Sequence, residues 1–159
     1  MLDMARLKIN PNLDKYTKKL EQLQIDTRDK IIGKAVYEGA RIVADAVRAN
    51  INALATSNDF HEAVTPKQKE GLLDGLGISR MKDENGFINV KVGFNGYNSI
   101  SNKRYPNGQP NALVARSLEK GTSVAPAQRF VAPAVKRAQA SAESAMKEIV
   151  ESEIDKIMN

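Results

Sequence analysis

The chain contains no cysteine and no tryptophan, and its only histidine is His61. The absence of cysteine excludes disulfide bonds, thiolate nucleophiles and thiolate metal ligands at once. It also fits a protein that is made in a reducing cytoplasm. Aromatic residues form 5% of the chain, so we expect a hydrophobic core built mainly from isoleucine, valine, leucine and alanine.

Long apolar runs are missing as well. No segment approaches the roughly 18 consecutive apolar residues of a membrane-spanning helix, so we expect no membrane partner. Residues 1–10 include Asp3, Arg6 and Lys8 and lack the apolar run of a secretory signal. With 159 residues, of which 42% are hydrophobic, the chain predicts one globular domain over residues 1–159 that builds its core without a metal or a disulfide.

The net charge of +5 is unevenly distributed along the chain. Residues 80–137 contain ten basic and three acidic side chains, which gives a net charge of +7. Residues 140–159 contain two basic and five acidic side chains, which gives a net charge of −3. Such asymmetry can steer a docking partner or orient neighbouring subunits, and an uneven solvated surface gives the same pattern.

Two long helices are predicted from apolar residues that recur every three or four positions. The first begins at Asp26 or Thr27, which are N-cap candidates, and ends near Leu54. The last begins near Pro133 and ends near Met158. Their apolar stripes consist of Ile32, Val36, Ala40, Val43, Val47, Ile51 and Leu54 in the first helix, and of Val135, Ala138, Ala142, Met146, Ile149, Val150, Ile154 and Ile157 in the last.

Shorter helices complete the helical part of the prediction. A peripheral N-terminal helix is expected within residues 1–24, over residues 11–24. Thr65 followed by proline is typical of a helix start, and this helix ends at Gly71 or Gly75. Another short helix is predicted over residues 111–120 and ends at a glycine.

A β-hairpin is predicted between these helices. Residues 77–82 and 87–94 form its strands, and the second strand alternates apolar and polar side chains. The connection ends in Asn85-Gly86, a dipeptide typical of tight hairpin turns because both residues tolerate positive φ. We therefore predict an α+β fold, in which a small antiparallel β-sheet packs against two long amphipathic α-helices with short accessory helices.

Reactive groups are sparse. His61 lies in a polar loop, where a lone histidine is usually solvated. Glu148, Glu151 and Asp155 share one helix face, but no partner ligands for a metal are apparent. The glycines of residues 71–77 lack the spacing of a phosphate-binding loop. The sequence predicts no catalytic residue, no metal site and no cofactor, hence no enzyme.

A long polar loop over residues 95–111 is a candidate interaction segment, since loops of this length are often functional or disordered. Lys103, Arg104 and Tyr105 combine basic and aromatic groups there, as in proteins that bind single-stranded nucleic acids. One tyrosine is a small stacking platform, and no known DNA-binding motif accompanies it. A basic nucleic-acid-binding or regulatory module is therefore the alternative function, and a hydrolase with a pocket around His61 is a third.

Residues 107–135 carry the most distinctive pattern. Leu118-Glu119-Lys120-Gly121-Thr122 precedes a loop rich in alanine and proline, and Phe130-Val131-Ala132-Pro133-Ala134 follows it. This arrangement resembles the tail-component family of long-tailed bacteriophages, small tail-completion or head–tail joining proteins. In that family a Leu-Glu-x-Gly-Thr segment, an Ala/Pro-rich loop and a Pro-Phe-x-x-Pro-Ala segment precede a final helix.

The resemblance extends from about Thr27 to the C-terminus and includes two departures. Arg129 stands where the family often has proline. Residues 71–78 are similar to a Gly-x-Leu-x-x-Ser-Ile-like segment that enters the strands, but Gly75 or Gly77 replaces the serine.

The resemblance implies a structural protein of the virion, made in the bacterial host cytoplasm and located at the interface of head and tail. It implies self-association into a ring, with six copies, and contacts with the tail tube or tail terminator protein and with the head connector or adaptor protein. The protein would also contact DNA that passes the interface, without sequence specificity. Glu119 is expected to bind the adjoining turn, to pair with Arg116 or to be an exposed acid. The residues implied to shape the fold are Leu118, Glu119, Gly121, Thr122, Phe130, Pro133 and Ala134.

Overall fold

The fold is known from a computed structural model that describes residues 2–8 and 25–158. It is an α+β fold, as predicted, with two long helices beside a small antiparallel sheet. In chain order the described elements are β1 (Leu2–Lys8), α1 (Ile25–Ala53), α2 (Pro66–Gly75), β2 (Leu76–Ile78), β3 (Lys82–Glu84), β4 (Phe87–Phe94), α3 (Asn111–Lys120) and α4 (Val131–Met158).

Strand β4 is the centre of the sheet. On one side it pairs with β1, with Leu2 opposite Phe94 and Lys8 opposite Asn89. On the other side it pairs with β2 and then with β3, which follow each other along the same edge. All pairings are antiparallel. The predicted turn is confirmed: Asn85 and Gly86 have φ of 56° and 85°, the left-handed values that a tight hairpin turn requires.

Helices α1 and α4 run antiparallel and form the main helical layer. Lys34 near the start of α1 donates to Glu153 near the end of α4, over 2.5 Å. In the middle, a Cβ added to Gly39 would lie 2.7 Å from Sδ of Met146, so the glycine allows a close approach of the two helices. The predicted stripe of α1 is buried between α4 and the sheet, because Val36, Val43 and Ile51 are fully enclosed.

Two of the predicted shorter helices, α2 and α3, are also confirmed. Thr65 caps α2 through a capping box, in which its hydroxyl accepts from the Gln68 N–H and the Gln68 side chain accepts from the Thr65 N–H. Helix α3 has the bounds predicted from the sequence. The final helix begins at Val131, two residues before Pro133, which therefore lies in its first turn.

Two parts of the N-terminal prediction have different outcomes. Residues 2–8 form strand β1 in the sheet, so they are not part of a peripheral helix. The helix predicted over residues 11–24 lies outside the described residues. Strand β1 was missed because its pairing with β4 changes register between Asp3 and Ala5. This irregularity disturbs the period of two by which strands are recognised.

The predicted strand over residues 77–82 is interrupted. Its ladder ends where the Ser79 hydroxyl accepts the Lys91 backbone N–H over 2.8 Å, in place of a backbone carbonyl. Two residues later, the Met81 N–H donates to the Tyr37 hydroxyl on α1. The chain thus leaves the sheet after Ser79 to contact the helix, and β3 resumes the pairing.

The long loop over residues 95–110 is built around amides. Oδ1 of Asn98 accepts from the backbone N–H of Ile100 and of Gln109, and its Nδ2 donates to Oε1 of Gln109. The same Oε1 accepts from Gln68 on α2. Asn98 is 7% exposed, and both polar atoms of its amide have hydrogen-bond partners. The loop therefore closes on a buried polar network.

This network needs a helix surface without side chains. A Cβ added to Gly71 of α2 would lie 2.5 Å from Oδ1 of Asn111 and 2.6 Å from Cβ of Asn98. Gly75, one turn later, faces the backbone carbonyl of Asn95 in the same way. Of the two predicted ends of this helix, Gly75 is correct and Gly71 lies within α2, and both glycines form the seat of the loop.

We predict that Gly71→Ala destabilises the protein although alanine is the better helix former. The added methyl group would overlap Asn98 near its backbone, and such overpacking costs about 1–3 kcal/mol. Gly33→Ala in α1 is the matched control, because its Cβ would meet only the mobile end of Met81. This variant should be neutral or more stable by up to about 1 kcal/mol. If urea unfolding gives Gly71→Ala and Gly33→Ala the same free energy of unfolding, the close packing of the loop against Gly71 is contradicted.

Candidate interaction site

Glu119 connects α3 to the start of α4. Its carboxylate accepts hydrogen bonds from three consecutive backbone N–H groups, those of Phe130 at 2.9 Å, Val131 at 3.0 Å and Ala132 at 2.9 Å. The first N–H groups of a helix have no partner within the helix, and negative charge is favourable at that end. Of the expected roles, binding to backbone N–H groups is the one observed, but the turn that Glu119 binds is the first turn of α4.

The segment between the two helices folds onto the same junction. Gly121 ends α3 with a φ of 74°, and its N–H donates to the Ser117 carbonyl. The Thr122 hydroxyl accepts from the N–H groups of Val124 and Ala125. The Gln128 N–H then donates to the Leu118 carbonyl over 2.7 Å. Residues 118–122, which we call the first signature segment, thus close a loop over residues 121–128.

Residues 130–134, which we call the second signature segment, anchor this loop in the core. Phe130 is 1% exposed, and its ring contacts that of Phe94 edge-on with 5.9 Å between centroids. Its carbonyl accepts from Nδ2 of Asn50 on α1. Ala134 is buried and Pro133 is exposed. The predicted core position of Phe130 is confirmed.

A groove opens beside this junction, between α3, the loop over residues 121–128 and residues 60–68. We call it the terminal groove; its cavity volume is about 260 Å³. Apolar side chains dominate its walls, and Phe60, Leu113 and Val124 are 55%, 39% and 58% exposed. Oε1 of Gln128, which also lines it, is buried and has no hydrogen-bond partner among the described residues.

The basic loop residues form a separate surface. Oδ1 of Asn102 accepts from the N–H groups of Arg104 and Tyr105, which holds the turn. The Arg104 guanidinium lies over the Tyr105 ring, 5.5 Å from its centroid. Lys103 and Arg104 are exposed and Tyr105 is half-buried. Because Arg104 covers one face of the only aromatic ring in this turn, stacking of a base on that face requires the guanidinium to move.

His61 lies at the surface next to the terminal groove. Its Nδ1 is 2.9 Å from Oδ1 of Asp59, and the same oxygen accepts the His61 backbone N–H. The backbone hydrogen bond, followed by the one from the side chain, lowers the pKa of Asp59. The Ser57 hydroxyl in the same loop donates to Glu62.

The acidic side chains of α4 do not converge on a metal-like centre. Glu148 and Asp155 are exposed along its last turns. Over the residues whose placement is described, no group of three or more His, Asp or Glu side chains is arranged to hold a metal ion. Within the same residues, no helix has the length and apolar character needed to cross a membrane.

Comparisons with known proteins add no relative. No family model, no curated protein and no solved structure matches this chain. The resemblance to tail-component proteins therefore rests on residues 118–122 and 130–134 of the sequence alone.

The structure brings the two signature segments together, but it leaves Lys103, Arg104 and Tyr105 in another loop. The sequence did not predict the terminal groove, because its walls come from three separate segments. The exposed apolar side chains Phe60 and Val124 within polar loops were the one available signal. Apolar side chains that stay exposed beside one another often mark an interaction surface.

We predict that Glu119→Ala destabilises the protein by about 1–3 kcal/mol, since three N–H groups at the start of α4 lose their acceptor. Glu119→Gln should cost less, because the amide retains one acceptor oxygen. Glu143→Ala is the matched control: Glu143 is exposed on α4 and accepts from Gln139 one turn away, so its loss should change stability by less than about 0.5 kcal/mol. Equal unfolding midpoints for Glu119→Ala and Glu143→Ala would contradict the claim that Glu119 stabilises the start of α4.

Proposed function

We propose that this protein is a structural virion protein of a long-tailed bacteriophage, which completes the tail and joins it to the head connector. It acts through shape and contact surface as a self-associating subunit, in a ring of six copies. Its further partners are the tail tube or tail terminator protein on one side and the head connector or adaptor protein on the other. No chemical step is assigned to it.

One observation carries this proposal. The residues that resemble the tail-component family are those that build the junction of α3 and α4. Glu119 holds the helix start, Gly121 turns the chain, and Phe130 fills the core. These residues thus have structural roles, and the surface that they shape is an open groove beside exposed apolar side chains. Both features suit a subunit whose task is to fit against neighbours.

The charge distribution supports an assembly with unlike faces. Lys136 is exposed near the start of α4, whereas the last turns of the same helix are acidic. A ring requires head-to-tail contacts, in which two different surfaces of the subunit meet. Arg137 is less available for such a contact, because its guanidinium donates to Oδ1 of Asn50. Charge reversal at Lys136 is therefore a cleaner probe of assembly than reversal at Arg137.

The proposal is tested in the phage that carries the gene. With a nonsense codon early in this gene, infection of a non-suppressing host should yield filled heads and separate tails. A suppressing host should restore joined particles. Antibody labelling of intact virions should place the chain at the head–tail interface. Normal joined particles that lack the chain would overturn the proposal.

A nucleic-acid-binding module is the second candidate, favoured by the exposed Lys103 and Arg104. If it were correct, DNA affinity would be tight and would fall steeply with salt, by about 10³–10⁵-fold between 50 and 200 mM for 6–10 phosphate contacts. We expect only weak binding. The Lys103→Ala/Arg104→Ala variant should reduce that binding while head–tail joining persists. Fluorescence titration at several salt concentrations measures the difference, and tight, sequence-dependent binding would favour the rival function.

A further inference from the structure

We propose that the terminal groove receives the β3–β4 hairpin of a second copy of this chain, with Phe87 as the inserted side chain. This inference rests on the proposed function, because it names the contact through which the subunits associate. It follows from the exposure of Phe87, the positions of hairpin and groove, the size of the groove and the charges around both.

Phe87 has an unusual environment for a phenylalanine. It is the first residue of β4 after the tight turn, and 66% of it is exposed. The turn itself requires only Asn85 and Gly86, and the interior face of the strand is occupied by Val90, Val92 and Phe94. Among the described residues, neither the turn nor the core of the chain requires an aromatic side chain at this position.

The length of β4 separates the hairpin turn from the end of the strand that leads to α3 and the groove. Phe87 and Phe94 are the two ends of β4, which are about 23 Å apart at roughly 3.3 Å per residue. The end at Phe94 leads to the amide-rich loop and to α3, because the Asn111 N–H donates to the Gly96 carbonyl. The groove lies beyond, along α3. A hairpin cannot reach the groove of its own chain, so the contact is between copies and of the head-to-tail type.

The groove suits one aromatic side chain. Its volume of about 260 Å³ is open to the surface and lined mainly by apolar side chains. A phenylalanine that enters it would cover Phe60, Leu113 and Val124, the three exposed apolar residues of its walls.

The charges around the two surfaces are complementary. Lys82, Asp83 and Glu84 precede the turn of the hairpin and are exposed, so one positive and two negative charges give this strand a net charge of −1. Asp83 also accepts the Gly86 N–H. Arg116 and Lys120 are exposed on α3, which supplies one wall of the groove, and exposed Arg129 follows the lining residue Gln128. Glu62 is the acid among the lining residues, and it accepts a hydrogen bond from Ser57. An acidic hairpin tip that approaches a basic rim is attracted, and the attraction weakens with salt.

Two variants test the contact, one on each surface. Phe87→Ser removes the inserted side chain, and Val124→Glu places a carboxylate at the mouth of the groove. Sedimentation velocity over a concentration series measures association. Each variant alone should associate about tenfold to a hundredfold more weakly than the natural chain, as expected for the loss of one buried aromatic side chain.

The decisive measurement is an equimolar mixture of the two variants. Val124→Glu still has an intact hairpin and Phe87→Ser still has an intact groove, so one productive contact remains between them. The mixture should form a pair with the affinity of the natural contact and nothing larger. Tyr97→Ser is the matched control, because Tyr97 is exposed to 65% and is in neither the hairpin nor the lining of the groove; it should associate like the natural chain.

Several results would overturn the inference. These are a natural chain that stays monomeric at its highest soluble concentration, single variants that associate normally, or a mixture that stays monomeric. The nonsense-codon experiment reads the joining of heads and tails, whereas this one reads pairing of the isolated chain. A joining protein that pairs through another surface would retain the proposed function and refute only this contact.

Discussion

The structure depends on how the start of α4 is held. A helix of 28 residues that lies along α1 has its register set by whatever fixes its first turn, and here a carboxylate from α3 binds three N–H groups of that turn. Asn50 fixes the same point from α1 through the Phe130 carbonyl. From there the antiparallel path brings Met146 against Gly39 and Glu153 to Lys34.

The fold class and most of the helices could be predicted because their causes are local. The apolar stripe of α1 repeats at helical spacing, Thr65 caps its own helix, and Asn85-Gly86 forms its own turn. Strand β1 and the interruption at Ser79 have distant causes. The first depends on a shifted pairing with β4, and the second depends on the Tyr37 hydroxyl, 44 residues away from the Met81 N–H that it accepts.

The candidate site shows the same division. Gly121 as a helix end and Phe130 as a core residue follow from their neighbours in sequence, so both could be predicted. Glu119 could not be assigned one partner, because its acceptor geometry exists only once α3 and α4 meet. The asparagines of the long loop look like solvated polar residues in the sequence. Asn98 is buried because Gly71 leaves room for it, a relation between residues that no pattern within one segment reveals.

The junction at Glu119 and the terminal groove form one structural unit, because they share α3 and the loop over residues 121–128. The groove has one wall on α3 and another on the loop over residues 121–128, and the bonds of Glu119 and Gln128 tie both to the start of α4. A groove whose walls are already fixed loses little conformational freedom when it is filled, so a small contact can be specific. The proposed insertion of one side chain would bind weakly, whereas closure of the proposed ring would hold each subunit at both ends and make the assembly more stable than one contact alone. Under this proposal, the residues of the junction serve assembly as well as stability, because they hold the walls of the groove in one shape in every copy of the chain.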